Sequence, residues 1–408
     1  MTIRTVATVG AGQVAAVVAR TLRRRGFDGR IMLLGNEIHA PYQRPPLSKE
    51  FLSGRESIDS LALLPHKWLS DNNIDLRTGV SVDRVDPSGR AIELVGGERV
   101  DVDAVVFATG GRPRTLPIAG TRQDLVHYLR TIDDALALSA HLTPGARLAI
   151  IGGGFIGLEV ASTAVSLGVG VTVLERGRTP LAEVLGPQMS EFCTGVHRAQ
   201  GVDVRTSVGV QTVNTSDAGV RITLSDGSVV EADTAVVGIG IEPNTEVAAA
   251  SGVAIAHGIV VDPAGRTDMP NIYAAGDVAC RIDGPGGLPT RAEHFDNANR
   301  QAGVVANAII GRDTTADDPP WFWSDQYGMN LQLAGHVAGA TDTVVRGNLD
   351  GGEFTTFYLR GDTLQAAFAV DRGEDLMAAR ELIGRVVDPA VLSDEDVDLW
   401  ELGEQVVG

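Results

Sequence analysis

Cysteine and lysine are both scarce in this chain of 408 residues. Its two cysteines, Cys193 and Cys280, stand far apart and form no C-x-x-C or C-x-x-x-x-C pair. That excludes a disulfide framework, a cysteine-based zinc site and a paired redox thiol. Lysine occurs twice, as Lys49 and Lys67, and the other 32 basic residues are arginine. In so biased a chain, a lysine inside a motif is expected to be there for its chemistry. No apolar run reaches the length of about 18 residues that a spanning helix needs, so no membrane segment is expected. The opening MTIRTVATVG runs straight into a strand-like alternation and lacks the apolar stretch of a signal peptide. A cytoplasmic protein is expected.

Positive charge is also in deficit, with a net charge of −18 and a pI near 4.8. Such a surface repels phosphate backbones and argues against a nucleic-acid partner. The charge is polarised along the chain. Residues 1–54 carry Arg4, Arg20, Arg23, Arg24, Arg25, Arg30, Arg44 and Lys49 against Asp28, Glu37 and Glu50. From Glu374 onward, ten acids face Arg380 and Arg385. Either this is a solvated surface that happens to be polarised, or the basic end is a docking face for an acidic protein.

What is present is ordinary globular composition, 44% apolar and 21% charged. The length allows two or three domains. A strand–loop–helix unit is used twice. Thr5–Val9 leads into Gly10-Ala-Gly12-Gln13-Val14-Ala15 and a helix ending near Gly26. Arg147–Ile151 leads into Gly152-Gly-Gly154-Phe155-Ile156-Gly157 and a helix ending near Gly168. Each helix is followed by a second strand, 31–34 and 171–174, and then by an acid, Glu37 and Glu175. Residues 80–110 read as three short strands closing on Ala108-Thr109-Gly110, and 208–240 repeat that plan, closing on Gly238-Ile239-Gly240. From about Trp321 a third block begins, with strands at 329–335, 354–359 and 364–370 and an amphipathic helix near 374–384.

The fold class expected is α/β, with two Rossmann-like dinucleotide-binding domains and a C-terminal α+β domain. The second dinucleotide domain is inserted in the first. The boundaries are 1–113 with 242–320, then 114–241, then 321–408.

A lone G-x-G-x-x-G is weak evidence, but both copies follow a strand, open a helix and have an acid some twenty residues on. The glycines let the backbone approach a pyrophosphate, which sits on the helix N-terminus. At the third glycine position of the first loop, Ala15 is small enough for helix–strand packing. An acid in the place of Glu175 bonds a ribose 2′-hydroxyl and repels a 2′-phosphate, favouring NADH over NADPH. Arg176 and Arg178 follow it and soften that rejection.

On these motifs, together with PYQRPPLSK (41–49), GGGFIGLE (152–159), VGIGIEPN (237–244), YAAGDVA (273–279) and WFWSDQY (321–327), the chain resembles a known family along essentially its whole length. These are the FAD- and NADH-dependent ferredoxin reductases that serve Rieske-type dioxygenases and haem-thiolate monooxygenases. The resemblance assigns the first loop to FAD and the second to NADH. Around FAD it implies Gly10, Gly12, Gln13, Val14, Ala15, Glu37, Val82, Ala108, Thr109, Gly110, Arg130, Gly276 and Trp323. Arg44, Pro45 and Lys49 fall beside the flavin, with Lys49 near N5 and paired to Glu159. The alternative for that pair is a chance surface contact.

Asp277 resembles the residue that bonds the ribityl chain, or is a plain helix cap. Glu293, His294 and Phe295 match positions at the flavin edge. Phe295 stands where many relatives carry Trp or Tyr, so it either assists electron exit or only packs. Around NADH the resemblance implies Gly152, Gly154, Phe155, Ile156, Gly157, Glu159, Glu175, Gly238, Ile239 and Gly240, with Lys49 and Glu159 as the catalytic pair. The partner implied is a [2Fe-2S] ferredoxin, Rieske-type or putidaredoxin-type, and indirectly a terminal oxygenase. Monomer and homodimer both remain open.

Competing members of the wider superfamily use a cysteine by the flavin. Segment 41–50 has none, which removes disulfide reductases and thiol-based NADH oxidases and peroxidases. An NADH oxidase-like or rubredoxin-reductase-like flavoprotein stays as an alternative. So does a non-catalytic protein like the apoptosis-inducing factor.

Overall fold

The computed structural model describes residues 3–404 apart from 89, 283–288, 313 and 316. The chain divides into two compact units. The first holds residues 1–45, 58–112 and 241–318; the second holds 46–57, 113–240 and 319–408.

The first unit is built on a five-stranded parallel sheet. Its strand order is Ile272–Ala274, Ala104–Phe107, Thr5–Val9, Arg30–Leu34, Ile74–Arg77. Successive residues of a strand point to opposite faces, so a sheet covered on both sides needs apolar residues at every position. Val6, Ile31, Leu33, Ala104 and Val106 enter one core, with the helices Gln13–Arg24 and Phe295–Ile309. Ala7, Val9, Met32, Leu34, Val105 and Phe107 enter the opposite one. That second core is covered by the antiparallel strands Val82–Val85, Ala91–Leu94 and Arg99–Asp101. The stretch 80–110 therefore supplies four strands rather than three, because Ala104–Phe107 leaves the small sheet and joins the parallel one.

The second unit repeats the plan. Its parallel sheet runs Val126–His127, Thr234–Val237, Arg147–Ile151, Gly170–Leu174, Asp203–Arg205. In both sheets the strand before the glycine loop is central and the closing strand lies beside it. One face of the second unit's parallel sheet is covered by the strands Val229–Ala232, Gly219–Leu224, Val210–Ser216 and Ile118–Gly120. The C-terminal part of the unit is an antiparallel sheet in the order Trp321–Gln326, Met329–Gly335, Thr363–Val370, Glu353–Arg360, Asp342–Asn348, with helix Gly373–Leu382. Two of these strands, Trp321–Gln326 and Asp342–Asn348, go beyond the three expected. Both sit at the sheet's edges. Asp342–Asn348 buries a single residue, Arg346, so its apolar signal is weak. Among the described residues no helix is long and apolar enough to cross a membrane.

Candidate functional site

In the first unit, Gly10 has φ +107°, and a Cβ there would stand 2.2 Å from the carbonyl oxygen of Ala108. Only glycine fits this crossing. Gly152 repeats it in the second unit, with φ +106° and the carbonyl oxygen of Gly238 at 2.2 Å. Each loop is thus seated on the segment that closes its own half, 108–110 or 238–240. No heavy atom lies within 4 Å of a Cβ built on Gly12 or Gly154. These two residues precede the helices Gln13–Arg24 and Phe155–Ser166, and neither helix has a side-chain cap or an acid in its first turn. Open space in front of uncapped backbone N–H groups is a cradle that fits a pyrophosphate. At the third position the halves differ. A Cβ on Gly157 would meet the carbonyl oxygen of Gly152 at 2.4 Å, whereas Ala15 is accommodated, fully buried.

The two acids are also held differently. Glu175 directly follows its strand, and its carboxylate accepts from the backbone N–H groups of Gly153 (2.8 Å) and Gly177 (2.5 Å). It is braced against the loop it is expected to serve. The matching position in the first half is Gly35, packed so closely on Ala11 that a Cβ would lie 2.7 Å from its side chain. Glu37 stands two residues later and accepts instead from Tyr42 Oη (2.5 Å) and Arg44 Nη2 (2.6 Å). Burial works against the Arg44 charge, but Tyr42, Glu37 and Asp277 outweigh it and hold its pKa above the usual range. Arg44 also lies over the Tyr42 ring, 5.0 Å from its centroid.

Gly276 donates to Gln301 Oε1 (2.8 Å), and a Cβ on it would strike Val14 at 2.7 Å. The YAAGDVA turn therefore lies against the first-loop helix. Asp277 sits inside the short turn Gly276–Val278, whose cap residue is Ala275. The hydroxyl of Thr109 donates to the carbonyl of Asn244 (2.7 Å), and the Asn244 amide donates back to the carbonyl of Thr109 (2.9 Å). Glu293 pairs with Arg291, His294 precedes helix Phe295–Ile309, and Phe295 is half-buried at its first position. Val82 opens its strand, partly buried against the core.

In the second unit Lys49 and Glu159 come together, Nζ to Oε2, at 2.8 Å. The side chains are 8% and 7% exposed, so this is a buried pair and not a surface contact. Glu159 comes from helix Phe155–Ser166. Lys49 follows the turn Pro45–Ser48. That turn is tied to the helix by Thr163, whose hydroxyl donates to the carbonyl of Ser48 (2.7 Å). Ser48 Oγ donates to the same Glu159 oxygen as Lys49, and Ser324 Oγ to the other (2.7 Å). Phe155 meets Phe322 edge-on with centroids 4.7 Å apart, and Trp323 stacks on Trp321 at 5.3 Å. Ile156 and Ile239 are exposed, at 45% and 37%. Arg130 immediately precedes the capping box that Thr131 forms with Asp134, to which its backbone N–H donates.

The sequence reading missed Tyr42, Asn244, Gln301, Ser48 and Ser324. Tyr42, Ser48, Asn244 and Ser324 stood inside quoted motifs, but nothing local marks the hydroxyls of Ser48 and Ser324 or the amide of Asn244, which bond across more than a hundred residues.

The model of the pyridine nucleotide-disulphide oxidoreductase family matches residues 4–302, and that of the reductase C-terminal domain matches residues 321–403. The chain is 41% identical to rhodocoxin reductase of Rhodococcus erythropolis, over 96% of its own length and 92% of the relative's. It is 39% identical to the ferredoxin reductase component of chlorobenzene dioxygenase from Cupriavidus, over 95% of each. Among solved structures it is similar to the covalent putidaredoxin reductase–putidaredoxin complex, with a TM-score of 0.94, 36% identity and full coverage of both chains. This chain, with its paired glycine loops and C-terminal sheet, belongs to the pyridine nucleotide-disulphide oxidoreductase family.

Proposed function

We infer that this protein is an NADH:ferredoxin reductase, taking electrons from NADH through FAD to a [2Fe-2S] ferredoxin that feeds a terminal oxygenase. The observation that carries the reading is the buried Lys49–Glu159 pair in a chain without an available thiol. The family is described by disulphide chemistry, yet here each cysteine is free, buried and alone. Burial pushes the Cys193 thiol up to about 12 and the Cys280 thiol upward as well, so neither supplies a thiolate at neutral pH.

Bound FAD supplies an acceptor for an electron pair that can be given up one electron at a time. The protein's own work is to hold and to orient. Loop 10–15, Glu37, Arg44, the segment 108–110, Gly276 and Asp277 hold FAD in this reading, with Val82, Glu293, His294 and Phe295 at its margin. Arg130 and Trp323 are assigned to FAD by the family resemblance alone. Loop 152–157, Glu175 and 238–240 hold NADH, with Ile156 and Ile239 against the nicotinamide. Lys49 presents a fixed ammonium where negative charge develops, and Glu159 holds it in place. Glu175, already accepting from two backbone groups, offers its remaining acceptor capacity to a ribose hydroxyl and opposes a 2′-phosphate. The FAD domain is 1–113 with 242–320, the NADH domain 114–241 and the third domain 321–408. NADH is a cytoplasmic reductant, and we place the protein there.

The partner follows from chemistry and from the relatives, which are named as reductases of ferredoxins and oxygenase components. With no thiol to reduce, electrons leave to an external carrier or to oxygen. Reduction of cytochrome c by NADH, with and without added [2Fe-2S] ferredoxin of either type, tests the reading. Ferredoxin is expected to accelerate it strongly. Turnover indifferent to ferredoxin, with NADH oxidation yielding peroxide at full rate, would sink the proposal.

A further inference from the structure

The WSDQY segment does more than pack. Ser324 and Gln326 are buried, 0% and 2% exposed, on strand Trp321–Gln326, and His197 is fully buried on helix Ala182–Ala199. Gln326 Nε2 lies 2.9 Å from Ser324 Oγ, and Gln326 Oε1 lies 2.9 Å from His197 Nε2. Tyr327 Oη lies 2.8 Å from His197 Nδ1. With the Ser324–Glu159 bond these form one unbroken chain from half-buried Tyr327 to the carboxylate that holds Lys49.

The direction of every bond follows from the carboxylate end. A carboxylate only accepts, so the Ser324 hydroxyl must spend its proton on Glu159. Ser324 Oγ can then only accept from Gln326, which turns the amide N–H toward it. The amide carbonyl therefore faces His197, whose Nε2 must carry a hydrogen. Burial pushes the His197 pKa below its ordinary value and keeps it neutral. Its Nδ1 is then a lone pair, which takes the Tyr327 proton. All donors point one way, and bonds aligned so polarise one another.

We propose that Gln326 and His197 are positioning residues for the Lys49–Glu159 pair, the one-way chain from Tyr327 fixing the carboxylate's orientation and, through it, the place of the ammonium. The proposal rests on the reading of Lys49 as the cation that serves the flavin. The titratable groups packed along the chain are Lys49, Glu159, His197, Tyr327 and, one turn before His197, Cys193. Burial pushes the Cys193 thiol up to about 12 and the Tyr327 phenol upward, so neither ionises at working pH.

Gln326→Glu tests the direction at constant shape. An ionised carboxyl there cannot donate to Ser324, so it competes with Glu159 for the one hydroxyl proton, and it raises the proton affinity of His197. Once protonated, that carboxyl has a hydroxyl to donate to Ser324 and a carbonyl to accept from His197, in the places of the amide N–H and carbonyl, and the original direction returns. Single-turnover reduction of the holoenzyme by NADH is expected to match wild type at the acidic end of the stable range. It should fall by about tenfold as pH rises, the scale of one lost charge-assisted hydrogen bond. Wild type lacks that step, and Gln326→Leu is slow at every pH, which covers failure of the acidic variant to fold.

An independent readout is the 15N spectrum of His197, expected to show the neutral Nε2–H tautomer in wild type and a titration in Gln326→Glu. A wild-type Nδ1–H tautomer overturns the direction of the chain, whatever the rates. Full-speed Gln326→Glu and Gln326→Leu beside a slow Lys49→Ala overturn the positioning role alone. If Lys49→Ala is also at full speed, the reading of Lys49 falls with it.

Discussion

Lys49→Met removes the ammonium and keeps the bulk of its stem. The pair it breaks is about nine-tenths buried on both sides. Removing one member of a buried pair costs about 3–5 kcal/mol, because the other charge stays desolvated. Here Ser48 and Ser324 still donate to Glu159, which places the expected loss near the lower figure, about 3 kcal/mol. Loss of a preorganised charge facing the reacting centre should slow flavin reduction about 10²–10³-fold.

The two effects separate in the double variant Lys49→Met with Glu159→Leu. Both charges are then gone, and stability should recover by about half, short of full recovery because two buried hydroxyls lose their acceptor. The rate should not recover. The assay is urea unfolding of the holoenzyme alongside stopped-flow reduction by NADH at saturation. A single variant as stable as wild type would refute the buried-pair argument. A double variant reduced at wild-type speed would refute the role of the charge.

Three further outcomes are expected. Gly157→Ala drives a Cβ into the carbonyl of Gly152, so KM for NADH should rise severalfold and stability fall by about 1–3 kcal/mol, whereas Ala15→Gly in the other loop should cost about 1 kcal/mol or less, as measured by steady-state kinetics and thermal unfolding. Glu175→Ala should raise the NADPH/NADH ratio of kcat/KM about tenfold and also lower the NADH value, because Gly153 and Gly177 lose an acceptor; an unchanged ratio counts against the ribose role. His127 is held down to about 4 by burial and by neighbouring His141. Its folded pKa lies below the unfolded value of about 6.5, so its contribution is complete above that pH and is lost as pH falls toward 4. His127→Gln should flatten the acid limb of a stability-versus-pH curve in that window.

Much of the architecture was legible because its signals are local. Thr5–Val9 and Arg147–Ile151 are buried at every position after the first, the one apolar but for Thr8 and the other throughout, and each runs into glycines whose positions the structure explains by contact. The expectation for the third block was weaker. Strand Asp342–Asn348 lies at a sheet edge and is mostly exposed or half-buried, so periodicity barely marks it. The equivalence drawn between Glu37 and Glu175 was incomplete. Both follow the second strand of their half, but in the first half Gly35 occupies the position directly after that strand, where Ala11 leaves no room for a side chain.

By itself the sequence determined two glycine-rich loops of the dinucleotide type, the lack of a cysteine pair, and a motif that holds one of only two lysines. Those are properties of composition and short spacing, which survive in one dimension. Only the tertiary structure decided that Lys49 and Glu159 are buried together, and that Ser324, Gln326 and His197 reach that carboxylate through one line of hydrogen bonds. Hydrogen bonds are directional over about 3 Å, while their partners here lie up to 165 residues apart. Nothing in local propensity encodes such a meeting; the packing of strand Trp321–Gln326 against helix Phe155–Ser166 creates it.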